Sequence, residues 1–180
     1  MKNEYDVSVQ WRAFPLHPEI PEEGISLEEL FAAHSINLHE TMLKLRETAA
    51  GFGLPFGEST YIYNTRLAQE LGLWAESKNE GDKFHLAAFK AYFVDGKNIA
   101  KIPVLSELAS SIGLPADEAT EILTIRKFRT AVDADWELSK EKSITAVPTF
   151  VINQDRLVGA QPYRSLEIML EKNGFKKKED

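Results

Sequence analysis

Apolar and polar residues alternate over short stretches near both ends of this chain. In residues 6–14 every second side chain is apolar, which predicts a half-buried strand. Residues 147–152 are almost all β-branched or aromatic, which predicts a buried strand that stops at the turn formers of 153–155. A short strand over 156–158 and a last helix over 163–172 complete the pattern at the C-terminal end.

Most of residues 26–142 show the spacing of amphipathic helices instead. Apolar residues recur three and four positions apart, with capping residues at the starts and glycines at several ends. The first predicted helix starts at Leu27 with Ser26 as its N-cap, and the second covers residues 37–50. The third is capped by Asn64 and buries Leu67, Leu71, Trp74 and Ala75; the fourth is capped by Asp82 and has Phe84, Ala88, Ala91 and Tyr92 on one face. Three more helices are predicted over residues 103–112, 115–127 and 128–142.

Pro148 is the unusual residue of the C-terminal strand. Proline cannot donate a hydrogen bond to a sheet, so it belongs at the start of a strand or at an edge. The Val147–Pro148 bond is also a place to expect a cis peptide. The C-terminal segment resembles the second half of a thioredoxin fold: a strand headed by proline, a tight hairpin, Gly159 and a closing helix. The alternative is an ordinary buried strand that begins with a proline.

Several segments carry a family resemblance: Trp11–Glu19, Tyr63–Leu71, Ala91–Ile99, Gly113–Ala119, Ala146–Ile152 and Val158–Tyr163. Through these segments the chain closely resembles the DsbA-like thioredoxin family, in particular its cytoplasmic FrnE-type branch, although that family more often has Gly at the position of Ala146.

This resemblance implies an α/β, thioredoxin-like fold of the DsbA type, with a large helical insertion between its two halves. Residues 1–25 and 143–180 are then the thioredoxin-like domain, and residues 26–142 are the inserted helical subdomain. The family activity is thiol–disulfide oxidoreduction, in which a thiolate attacks a disulfide through a mixed-disulfide intermediate.

The chain contains no cysteine, and this contradicts the family activity. In the family a strand and then a Cys-x-x-Cys helix open the fold, and the helix N-terminus favours the thiolate. This chain is expected to enter the fold near Lys2 to Tyr5, so that the first β-α unit is missing and the chain alone is inactive. Three explanations are open: an N-terminally truncated sequence, a strand supplied by a homodimer partner or a second chain, or direct pairing of residues 7–14 with the strand of Phe150.

The resemblance also indicates which residues meet substrate. It assigns contact with an extended peptide or thiol substrate to Val147 and the shape of the loop to Pro148. Gln161, at a predicted helix N-terminus, is a candidate contact for glutathione, because the related kappa-class glutathione transferases and chromene-carboxylate isomerases hold glutathione in this region. Asn64 and Arg66 are weaker candidates, since Asn64 is also explained as a helix cap.

Two alternative functions follow from the same residues. One is a non-catalytic peptide-binding module that holds an extended peptide by strand addition. The other is a glutathione-dependent isomerase or transferase relative. No metal site is expected: His34 and His39 lack helical ligand spacing, and all four histidines, including His17 and His85, are interpreted as surface or loop residues.

Composition limits the partners. The formal net charge of −7 argues against a nucleic-acid binder, which needs a basic face. The only basic cluster, residues 176–178, is interpreted as a solvated tail. No apolar run approaches the roughly 20 residues of a membrane span. The N-terminus lacks a signal-peptide core, so a cytoplasmic protein without membrane contact is expected.

Overall fold

The computed structural model describes residues 3–32 and 36–178. The chain divides into two compact units: residues 1–16 with 134–180, called here the terminal unit, and residues 17–133, called the helical unit. In chain order the elements are β1 Ile25–Ser26, α1 Leu27–Phe31, α2 Leu38–Gly51, β2 Tyr61–Ile62, α3 Arg66–Ser77, α4 Gly81–Phe93, α5 Ile102–Ser111, α6 Ala116–Thr124, α7 Arg129–Glu141, β3 Thr149–Ile152, β4 Asp155–Val158 and α8 Tyr163–Lys172.

The hydrophobic core of the helical unit lies between helices α3 to α6. Leu71, Trp74 and Ala75 on α3 are buried as the helical spacing predicts, and Leu67 packs against the same cluster. Phe84 on α4 and Leu105 on α5 join them with almost no exposed surface. The periodicity of the sequence therefore identified this core correctly.

Side-chain caps mark the starts of α1 and α2. The Ser26 hydroxyl accepts a hydrogen bond from the Glu29 N–H at 3.0 Å, and the Asn37 side chain accepts one from Glu40 at 3.1 Å, as predicted. The prediction for Asp82 is wrong, because α4 begins earlier and Asp82 lies within its first turn. The prediction for Asn64 is displaced by one residue, because the N-cap position of α3 is Thr65.

Two features of the helical unit had no clear signal in the sequence. Strands β1 and β2 form an antiparallel ribbon with Ile25 opposite Ile62, and two-residue strands are too short to show alternation. Helix α6 ends at Thr124 rather than at Lys127, because the chain turns at Arg126, whose φ is 54°. No helix of the described residues has the length and apolar character that a membrane crossing requires.

In the terminal unit, strands β3 and β4 form an antiparallel hairpin. Phe150 lies opposite Leu157 and Ile152 opposite Asp155, around a turn in which Asn153 has a φ of 53°. The strand was predicted to be buried and to begin at Val147, and both expectations are wrong. It begins at Thr149, and its two central residues are each about 40% exposed.

The predicted strand over residues 6–14 is also wrong. None of these residues belongs to a strand, and Val9 and Trp11 are exposed. The Ala13 N–H instead donates to the Asp135 carboxylate at 2.9 Å. A strand requires a hydrogen-bonded neighbour, and β3 pairs only with β4 in the described chain. Direct pairing of this segment with β3, one of the three explanations above, is therefore excluded.

The two ends of the chain meet within the terminal unit. Tyr5 forms an antiparallel bridge with Lys177, and the Lys178 N–H donates to the Glu4 carbonyl at 2.7 Å. The Lys177 ammonium pairs with the buried Glu167 at 2.7 Å. The prediction of a purely solvated basic tail is therefore wrong for Lys177.

Candidate functional site

The loop that precedes β3 contains the first predicted site residues. The Val147–Pro148 peptide bond is cis, and Val147 is 44% exposed. The Gly159 N–H donates to the Pro148 carbonyl at 2.7 Å, and the Thr149 hydroxyl donates to the Ala146 carbonyl at 2.6 Å. These two bonds fix the loop on both sides of Pro148 and leave Val147 accessible to a ligand.

Gln161 lies in the turn between β4 and α8. Its side-chain amide donates to the Val158 carbonyl at 2.7 Å, so it covers the end of its own strand. Helix α8 begins at Tyr163 with Pro162 at the N-cap and without a side-chain cap. A helix N-terminus favours an anion, but the contact between Gln161 and glutathione stays a prediction.

Asn64 and Arg66 lie in the helical unit, whereas Val147, Pro148 and Gln161 belong to the terminal unit. The Asn64 amide donates to the Ile20 carbonyl at 2.7 Å, and its oxygen accepts from the Arg66 N–H at 2.8 Å. The Arg66 guanidinium pairs with Asp133 at 2.7 Å and with Glu70 at 2.9 Å. Both side chains hold the helical unit together, and both line a pocket of about 260 Å³.

A buried ion cluster centred on Glu70 is the main feature that the sequence analysis missed. The Glu70 side chain is 1% exposed and accepts hydrogen bonds from Arg126 at 2.9 and 2.6 Å, in addition to the bond from Arg66. Burial alone would raise the pKa of Glu70. The hydrogen bonds and charges of Arg126 and Arg66 outweigh burial, and the pKa lies below its ordinary value.

Part of this cluster had a signal in the sequence. Arg66 and Glu70 are four residues apart, the spacing that places two side chains together on a helix. Arg126 is 56 residues further along the chain, and no local pattern connects it with Glu70.

His85 is the histidine whose surroundings differ from the prediction. His85 lies on α4, half-buried, with its Nε2 3.3 Å from the Glu76 carboxylate, so its interpretation as a surface or loop residue is wrong. His34 lies outside the described residues. Across residues 3–32 and 36–178, no group of three or more potential ligands could hold a metal ion.

A β-hairpin headed by Pro148, followed by a closing helix and accompanied by a helical unit, is the arrangement expected of a protein of the thioredoxin-like class. The family model described as "DSBA-like thioredoxin domain" matches residues 1–171. The chain therefore belongs to the DsbA-like thioredoxin family, and its fold is the DsbA-like fold that the sequence predicts.

Known proteins support the same assignment. The uncharacterised protein YwbO of Bacillus subtilis (strain 168) is 28% identical over 159 residues, which cover 86% of this chain and 76% of that protein. A probable DsbA oxidoreductase from Streptomyces coelicolor has a similar structure, with a TM-score of 0.82, 24% identity, and coverage of 89% of this chain and 73% of that one. The cytosolic disulfide reductase DsbM of Pseudomonas aeruginosa, solved with GSH, gives a TM-score of 0.53 at 24% identity, with coverage of 67% and 68%.

Proposed function

We propose that this chain is a FrnE-type member of the DsbA-like family that binds extended polypeptide or thiol substrates of disulfide exchange at the Val147–Pro148 loop. The single observation that carries the proposal is the exposed Val147 next to a cis proline, in a loop held by Gly159 and Thr149. An exposed residue beside a fixed turn can present its main chain to an extended ligand.

The proposal separates binding from chemistry. Disulfide exchange needs a thiolate nucleophile, and the chain has no cysteine to supply one. The chain by itself is therefore a substrate-binding protein, and any exchange of disulfides requires thiols from another polypeptide or from a small molecule. A cytoplasmic location belongs to the same proposal, and it is supported by the likeness to a cytosolic disulfide reductase.

The test combines an activity assay with a binding assay. The purified chain should not accelerate the dithiothreitol-dependent reduction of insulin, but it should bind reduced, carboxymethylated α-lactalbumin, an unfolded polypeptide without reactive thiols. Pro148→Ala should weaken this binding at least tenfold, because alanine lacks the fixed φ of proline and so loosens the loop that presents the Val147 main chain.

Pro115→Ala is the matched control. Pro115 is the N-cap residue of α6 in the helical unit and lies outside the proposed site. The proposal is wrong if the chain reduces insulin by itself, or if the two proline variants bind the unfolded polypeptide as well as the parent does. Saturable binding of glutathione that Gln161→Ala removes, without any binding of the polypeptide, would favour the glutathione-dependent alternative instead.

A further inference from the structure

We propose that Arg156 is a positioning residue for the Val147–Pro148 loop. Its guanidinium, on strand β4, holds the main chain at the point where the chain leaves helix α7 and enters the loop. The inference deepens the proposed function and rests on it for the class of ligand. It adds a residue that lies outside the loop and fixes how Val147 is presented to that ligand.

The chain leaves α7 through a tight cap. The helix ends at Glu141, the Ser143 N–H donates to the Lys140 carbonyl at 2.8 Å, and the Ile144 N–H donates to the Ser139 carbonyl at 2.8 Å. These are the two bonds of a Schellman motif, in which the left-handed residue is usually glycine. Here that residue is Ser143, with a φ of 50°. Serine lacks the conformational freedom of glycine, so a contact from outside the helix can stabilise this turn.

Arg156 supplies such a contact. Its Nη1 donates to the Ser143 carbonyl at 3.1 Å, and its Nη2 donates to the Lys142 carbonyl. The last carbonyls of a helix have no partner within it and carry partial negative charge, which suits a cation. The planar guanidinium can also reach two acceptors at once. Arg156 therefore joins β4 to the end of α7 and fixes the direction in which the chain runs towards Val147.

The hairpin and the residue after it hold the loop at successive carbonyl oxygens. The contacts are those of Arg156 with Ser143, of the Thr149 hydroxyl with Ala146, and of the Gly159 N–H with Pro148. The contact of Arg156 comes first along the chain. Its loss frees the entry of the loop and leaves the two contacts nearer to Pro148 in place.

Asp155, the neighbour of Arg156 on β4, provides a matched control. Successive residues of a strand point to opposite faces, and these two attach the hairpin to different helices. The Asp155 carboxylate pairs with Lys172 at the end of α8 and accepts a hydrogen bond from Asn173 at 2.8 Å. Asp155 lies beside the turn of the hairpin, at the opposite end of β3 from Pro148. Its removal should loosen the turn but not the entry of the loop.

The first measurement is the order of the loop, from ¹⁵N relaxation of the complete chain and its variants. Arg156→Ala should lower the order parameters of the Thr145 and Val147 amides from about 0.85 to below about 0.6, because both carbonyl contacts are lost. Asp155→Ala should leave them near the parent values. Arg156→Lys keeps the charge but not the planar fork, so it should restore only part of the order. Circular dichroism checks that each variant keeps the parent fold.

The second measurement is the affinity of the same variants for reduced, carboxymethylated α-lactalbumin. Arg156→Ala should weaken binding about fivefold, and Asp155→Ala less than about twofold, because only the first frees the segment that leads to Val147. Arg156→Lys should bind with an intermediate affinity. Full binding by the lysine variant would assign the effect to charge rather than to position.

The inference is overturned if Arg156→Ala leaves the order parameters of the loop unchanged, if Asp155→Ala loosens the loop or weakens binding as much, or if Arg156→Lys binds as the parent does. Failure of the proposed function is distinguishable. A parent chain that binds no polypeptide refutes that function, and the order parameters then decide by themselves whether Arg156 positions the loop. If the parent and Arg156→Ala bind equally well, the proposed function stands and this inference fails.

Discussion

Two substitutions of Arg126 can separate what its backbone conformation costs in free energy of unfolding from what its side chain contributes. Arg126 follows the last turn of α6, where its N–H donates to Leu123 and the next N–H donates to Ile122. Its φ of 54° is left-handed, a conformation that costs an L-residue roughly 1–2 kcal/mol and for which glycine is the usual choice at a helix end.

The side chain of Arg126 offsets this cost. It makes two hydrogen bonds to the buried Glu70 carboxylate. Removing one partner of a buried pair typically destabilises a protein by about 3–5 kcal/mol. The effect is smaller here, because the Arg126 side chain is 41% exposed and Arg66 still pairs with Glu70. We expect Arg126→Ala to lower the free energy of unfolding by about 2–3 kcal/mol.

Arg126→Gly should lower the free energy of unfolding by about 1 kcal/mol less than Arg126→Ala, because glycine removes the left-handed strain while the ion pair is lost in both. Urea unfolding followed by fluorescence measures the difference, since Trp74 is buried in the same unit. Lys127→Ala is the control, an exposed neighbour that is expected to change little. The reasoning is refuted if the glycine variant is no more stable than the alanine variant, or if Arg126→Ala changes stability by less than about 0.5 kcal/mol.

Three further predictions concern Asp135, Gly57 and Glu70. Asp135→Ala should cost about 1–3 kcal/mol and speed amide exchange at Ala13, because the buried carboxylate holds that N–H; unchanged exchange at Ala13 would contradict this contact. Gly57→Ala should lower the melting temperature, since its Cβ would lie 2.2 Å from the Val94 carbonyl oxygen. Gly51→Ala meets no atom within 4 Å and should stabilise α2 by about 0.5–1 kcal/mol; equal melting temperatures would refute the steric argument. Glu70→Gln should flatten the loss of stability on acidification, measured by urea unfolding at several pH values. Because the pKa of Glu70 is lowered in the folded chain, its contribution is complete above about pH 4.3 and disappears as pH falls through the folded pKa; an equally steep acid limb in the variant would exclude this role.

The helices were predictable because their signals are local. Ser26 and Asn37 bond to N–H groups three residues away, and helix α8 occupies the predicted span. The errors have local causes as well. Arg126 ends α6 without a glycine, because a distant carboxylate holds its side chain. A sequence window does not contain that carboxylate.

The strands were harder to predict, because a strand is defined by its partner. Alternation over residues 6–14 shows only that one side of the segment is apolar. The neighbour that would make it a strand is not among the described residues, and Asp135 takes the Ala13 N–H instead. The Val147–Pro148 loop was easier to find, since Pro148 in an apolar run is an unusual residue in itself.

The two units differ in how many apolar side chains they bury. Of the apolar side chains buried in the described residues, the terminal unit contributes three, Tyr5, Met169 and Leu170, while the central cluster lies wholly in the helical unit. A two-stranded hairpin without a covered face is marginally stable in water. A ligand that binds the folded terminal unit at the proposed Val147–Pro148 site is expected to stabilise that unit by mass action, by about 2.7 kcal/mol at a hundred times its Kd.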